Sequence, residues 1–249
     1  MSDGGSTPLR TVAFAELDAS VWGAAWTPGP DENGFMAVGA GERSGSSGAT
    51  LRAGDGDAEW LLEGDAVELT ASPVSAAVAT GIGSGFDQLC RVHGRANVDG
   101  AEREIDCIGR RGGHGDGVKL EKFDSVRDVS AWFAPEDGLA LVALRPRKSR
   151  GQDSDLLEVS VLDPETTSPV QEPRLSTTYT DSGQPLRAGF ELWLAGEDED
   201  SQYPRRAAGE AAGLGARSRC GGFNVVAQPF RWRSRGREGA GVYLVAQRA

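Results

Sequence analysis

The chain has 249 residues, a hydrophobic fraction of 39%, a charged fraction of 25% and a formal net charge of −11; that size can bury a core without staples, and the charge makes nucleic acid a poor general partner. No apolar run approaches the roughly 18–20 residues that span a bilayer. Three cysteines, Cys90, Cys107 and Cys220, show no C-x-x-C spacing, which removes the common zinc and redox motifs.

In chain order, MSDGGSTPLR has no basic segment leading into an apolar one, so residues 1–10 read as a disordered leader and not as a secretion signal. The cytoplasm is therefore the expected compartment, with the cysteines as free thiols. Beyond it, short apolar or alternating runs separated by Gly, Pro, Asp and Asn predict strands. A first set covers 11–16, 20–27, 34–41, 59–62, 66–71, 74–80, 86–98 and 103–109. A second covers 126–133, 139–145, 156–163, 174–179, 187–194, 220–232 and 241–247. Strands at this spacing indicate a sandwich or barrel. Only PRRAAGEAAGL (204–214) strings helix formers together, and its glycines and missing apolar stripe make a poor helix. The two sets predict an all-β chain of two consecutive halves, 11–122 and 123–249.

The clearest hairpin is LCRVHGRANVDGAEREIDCIG (89–109). Its first arm alternates Cys90, Val92, Ala96 and Val98 with Arg91, His93 and Arg95, and Asp99–Gly100 supplies the positive φ values of a tight turn. Pairing around that turn places Val92 opposite Cys107, so Cys90 and Cys107 share a face out of register, which suits two buried thiols better than a disulfide. A second hairpin is expected over 230–245, where Phe230, Trp232 and Ser234 alternate with Arg231, Arg233 and Arg235.

Chemistry-bearing motifs are sparse. Three G-x-G starts, at Gly39, Gly81 and Gly213, never complete G-x-G-x-x-G, and there is no Walker lysine and no G-x-S-x-G elbow. No nucleotide cofactor is expected. The stretch IDCIGRRGGHGDG (105–117) reads as a strand end running into a loop over 110–116. His114 and Asp116 could supply two ligands of a mixed oxygen site, but the loop has no other acidic residue, so no metal is expected. The tryptophans lie mostly on predicted strands, where each alone is most often core. Together, Trp132, Tyr179, Trp193 and Trp232 could line a barrel cavity. Arg91, His93 and Arg95 on one strand face usually mean a solvent-facing surface; if that face lines a cavity, it suits an anionic or carbonyl-bearing ligand.

Several segments resemble the carotenoid hydratase and AttH-like superfamily, also called hydroxyneurosporene synthase-like. IDCIGRRGGHGDG resembles that family's strand running into a G-x-x-x-D-H-x-W-G segment, VRDVSAWFAPEDGLALVALRPR its aromatic strand opening a second half, and FRWRSRGREGAGVYLV its closing hairpin. Gly113 stands where the family has aspartate and no tryptophan follows, so His114 is the residue that carries over. The resemblance implies two consecutive lipocalin-like antiparallel β-barrel or sandwich halves binding a small apolar or isoprenoid-like molecule. It also leaves two alternatives: a cofactor-independent hydratase, cyclase or isomerase using His114 with Asp116, or an interaction domain with filled barrels.

Overall fold

The structure, a computed structural model, describes residues 9–29, 34–53, 58–82, 85–114, 118–149, 154–163, 170–194 and 204–249. Its first sheet contains β1 (Leu9–Ala15), β2 (Val21–Thr27), β3 (Gly34–Ala40), β4 (Arg43–Ala53), β5 (Trp60–Gly64), β6 (Val67–Pro73), β7 (Val78–Thr80), β8 (Gly85–Val98) and β9 (Ala101–His114). Strands β1 to β6 pair in chain order, β9 joins β1 to β8, and β8 returns to β6, closing an antiparallel barrel with β7 attached to β8. Closure removes the free edges that an open sheet would expose.

The second sheet contains β10 (Phe123–Ala134), β11 (Asp137–Pro146), β12 (Leu156–Leu162), β13 (Val170–Tyr179), β14 (Pro185–Leu194), β15 (Arg205–Ala211), β16 (Ala216–Cys220), β17 (Phe223–Ser234) and β18 (Arg237–Arg248). It runs β12-β11-β10-β18-β17-β15-β14-β13, with β16 on β17, and curls into a second antiparallel barrel. The sheets are joined through a single 3₁₀ turn, Leu120–Lys122. Among the described residues no helix is long and apolar enough to cross a membrane.

Both expected hairpins form, and the first has the expected register. Val92 faces Cys107, Asp99 and Gly100 have φ of 53° and 81°, and all three cysteines are buried and outside any disulfide. Three strands escaped the sequence reading. β4, RSGSSGATLRA, lacks apolar alternation and is held by its ladders to β3 and β5. β15 forms from the doubtful helical stretch, and β16 ends at Gly221–Gly222, whose φ of 52° and 76° turn the chain into β17. The loop expected from Arg110 is also corrected, because β9 stays paired with both β1 and β8 as far as Gly113 and with β1 at His114. Glycine is required there: a Cβ at Gly112 would sit 2.4 Å from Arg110 Nη2 and 2.6 Å from Asp87 Oδ1.

Strand alternation divides the core into three layers. Val12, Phe14, Trp60, Leu62, Cys90 and Cys107 fill the first barrel. Val129, Phe190, Phe230, Trp232 and Tyr243 pack inside the second, with Trp232 stacked on Phe190 at 4.9 Å. The third layer lies between the halves, where Trp22, Trp26 and Phe35 meet Phe123, Trp132, Phe223 and Val225. Trp132 donates Nε1–H to the Ala15 carbonyl at 3.3 Å across this seam, and Ser44 and Ser46 reach the carbonyls of Gly215 and Arg217 at 3.0 Å. Strands β10 and β11 are buried on both faces as a result, which explains their near-continuous apolar sequences.

Close backbone approach sets one test. A Cβ on Gly241 would lie 1.9 Å from the Ser130 carbonyl oxygen, so Gly241→Ala should lower the unfolding free energy in urea by about 2–3 kcal/mol. Gly100→Ala meets nothing within 4 Å and carries only the strain of φ +81°, about 1 kcal/mol. Equal losses in the two variants would contradict the close-packing assignment.

Candidate functional site

Charged residues penetrate the seam at one place. Alternation along β9 sends Arg110, Gly112 and His114 toward the second half while Arg111 turns into the first barrel, where its guanidinium lies 5.2 Å from the centre of the Trp60 ring and Nε donates to Gln88. Arg110 is 0% exposed, and Asp87 on β8 and Asp128 on β10 are each 2% exposed. Its Nε donates to Asp87 Oδ1 at 2.8 Å, Nη2 to the same oxygen, and Nη1 to Asp128 Oδ1 at 2.5 Å. Ser160 on β12 donates to the remaining Asp87 oxygen at 2.5 Å. Burial pulls the Arg110 guanidinium down, but Asp128 and Asp87 outweigh it and hold its pKa above the ordinary value.

Around this network lies a set of polar groups without partners. His114 is 1% exposed; neither ring nitrogen meets a partner at full hydrogen-bond geometry, and the Ile82 backbone lies close enough to act on the imidazole. Thr11 Oγ1, Thr80 Oγ1, Asp128 Oδ2 and Ser130 Oγ are likewise buried and unpartnered. They share the seam. Thr11 is in register with Gly112, and Leu9 with His114. A Cβ on Gly85 would touch both His114 Cα, at 2.8 Å, and Thr80 Oγ1, at 2.9 Å. Ser130 is two residues from Asp128 on the same face of β10. Desolvation lowers the pKa of His114; Asp87, Asp128 and the Ile82 backbone push it upward and Arg110 downward, and the net result is a lowered value. The imidazole is therefore neutral at pH 7, able to accept a proton at one nitrogen and to donate from the other.

The other sequence candidates occupy separate environments. Arg91, His93 and Arg95 point outward from the first barrel: Arg91 pairs with Asp106, Arg95 with Glu68 at 3.4 Å, and His93 lies 3.5 Å from Ser72 Oγ. The solvent-facing alternative therefore describes that face, because its neighbour strands carry matching carboxylates. Trp132 is enclosed in the seam and Trp232 in the second core. Trp193 is half-buried on the opposite face of β14 from Phe190, and Tyr179 is 39% exposed at the end of β13. These residues do not form one lining. Asp116 lies outside the described residues. Burial pushes the Cys90 and Cys107 thiols up to about 12, leaving them inert as nucleophiles. The sequence reading missed Asp87, Arg110, Asp128 and Ser160; the visible signal was charge inside apolar strands, as in VRDVSAWF.

No protein-family model and no curated protein matches the chain. Solved structures do. CghA with Sch210972 aligns over 98% of this chain and 89% of its own, with a TM-score of 0.64 at 10% identity. An AttH-like protein of Nitrosomonas europaea aligns over 96% and 92%, with a TM-score of 0.55 at 9% identity. Kievitone hydratase of Nectria haematococca aligns over 98% and 89%, with a TM-score of 0.55 at 9% identity. The chain has the double lipocalin-like fold of these proteins.

The lowered value of His114 has a measurable consequence. Its unfolded reference is 6.5, so below about pH 6.5 the unfolded chain binds the proton more tightly than the folded one. Stability is fully present above that pH and falls as pH drops, at up to about 1.4 kcal/mol per pH unit from this one group. Chemical denaturation between pH 7.5 and 5 should show the slope shrinking by that amount in His114→Gln. An identical slope in both proteins would contradict the assignment.

Proposed function

We propose that the protein binds a small, largely apolar molecule at the seam between its two halves, with an oxygen function of that molecule held by His114. His114 then exchanges a proton with it in cofactor-independent chemistry of the hydratase or cyclase type. One observation carries the reading: five side chains, Thr11, Thr80, His114, Asp128 and Ser130, bring unpartnered polar atoms to the same buried face. Each costs about 1–3 kcal/mol if left unmet, and together they approach the roughly 5–15 kcal/mol that holds a whole domain folded. A polar-headed ligand or enclosed water would satisfy them. The buried apolar residues nearby, Leu9 in register with His114 and the small cluster of Leu89, Ala140 and Leu162, favour a molecule that is mostly hydrocarbon.

The chemistry follows from protonation states. A neutral imidazole in a desolvated seam serves first as a general base, taking a proton from a water, a hydroxyl or a carbon next to a carbonyl. Arg110 fixes Asp87 and Asp128 against the incoming group and keeps the local charge from collapsing onto the imidazole. The likeness of the fold to a hydratase and to a protein crystallised with a small molecule supports this reading. The filled first barrel makes that half a scaffold, so the reading does not depend on an open calyx.

Farnesol, an isoprenoid alcohol, is a suitable probe. At about a hundred times its dissociation constant a ligand of the native state adds about 2.7 kcal/mol of stability, and the melting temperature should rise accordingly. His114→Leu should remove most of that rise, while His93→Ala should leave it intact. If His114→Leu keeps the whole shift, the ligand is not held at His114.

A further inference from the structure

We infer that the outer face of the second barrel carries a separate binding groove for a short, soluble organic dianion such as a diphosphate or a dicarboxylate. The groove has a volume of about 620 Å³ and is edged by Arg174, Arg206, Arg233 and Arg235, with Glu191 its one carboxylate among the described residues. Register explains its shape. Arg174 pairs with Glu191 and Glu191 with Arg206, forming one row across β13, β14 and β15. Two residues along, Ser176 pairs with Gly189, Gly189 with Ala208 and Ala208 with Arg233. The second row is a floor of small residues, because a Cβ on Gly189 would already reach Ser176 Oγ at 2.9 Å. Arginines therefore stand at both ends of a shallow trough, and the two rows are roughly 7 Å apart along the strands.

Charge and strain both indicate a ligand. The chain as a whole carries −11, yet this groove brings together four guanidinium groups and one carboxylate. A cleft with an excess of one sign of charge concentrates counter-ions. The ion pairs already present, Arg174–Glu172 at 3.7 Å, Arg206–Glu191 at 3.6 Å and Arg233–Glu238 at 3.3 Å, are solvent-exposed and weak enough to yield to an incoming anion. Arg235 is the independent sign. It occupies a turn position with φ of 49°, where Asn, Asp or Gly normally stands, at the rim shared by this groove and the neighbouring one that Asp137 and Asp163 line. Planar guanidinium forks at each end suit two separated oxyanions, and the small floor accommodates the linker between them. This groove lies away from the seam, so it does not depend on the reading of His114.

The test is calorimetric titration of the full chain with inorganic pyrophosphate at low ionic strength. Saturable binding should weaken roughly tenfold in Arg235→Asn, a variant whose new residue suits the turn and keeps the fold. Ala208→Glu, on the exposed floor, should abolish binding, and Arg219→Ala, outside the groove, should leave it unchanged. Sedimentation with phosphatidylglycerol vesicles separates a soluble ligand from a lipid headgroup: the protein should stay in the supernatant. Absent binding, affinity unchanged in Arg235→Asn and Ala208→Glu, or retention on vesicles would each overturn the proposal.

Discussion

Arg110 is the point on which the two halves are registered. Its guanidinium is saturated by carboxylates from opposite sheets, Asp87 from the first and Asp128 from the second, with no solvent contact. A buried ion pair of this kind adds little net stability over an apolar substitute, but it is strongly destabilising to break. Its effect is therefore on specificity: the apolar seam between Trp26, Trp132 and Phe223 would tolerate sliding, whereas three charges in one geometry do not. Gly112 must stay small to let Arg110 lie along β9, and Ser160 extends the network to β12.

That constraint also places the candidate site. Both barrel interiors carry large side chains, and five side chains, Thr11, Thr80, His114, Asp128 and Ser130, bring unpartnered polar atoms to the face where the halves meet. His114 is held there by the last pair of the β1–β9 ladder, opposite Leu9. Its neutrality comes from burial, opposed by two carboxylates and aided by one guanidinium. A lipocalin-like architecture here means two scaffolds with a shared face, and the shared face carries the groups that remain to be satisfied.

Much of the fold was legible and little of the site was. Period-two alternation marked most strands and both hairpins, and Asp99–Gly100 marked the turn of the first, because those signals are local. β4 and β15 were invisible because their sequences, rich in Ser, Gly and Ala, have no pattern of their own and become strands through their neighbours' ladders. The extension of β9 to His114 was hidden by glycines that read as a loop but serve close packing. His114 was singled out on resemblance. Its surroundings were not, since Asp87, Asp128 and Ser160 lie far away in sequence and only the pairing of the two halves brings them to Arg110.

The central claim is that His114 is a neutral, unpartnered imidazole that meets a ligand inside the seam. The chain has two histidines, so ring ¹⁵N spectra of histidine-labelled protein give one resonance set for the site and one, from exposed His93, as an internal reference. The account predicts that His114 stays neutral to well below pH 6.5 and that its ring nitrogens alone move when farnesol is added. A His114 that takes up its proton at or above pH 6.5, with ring resonances indifferent to farnesol, would contradict it.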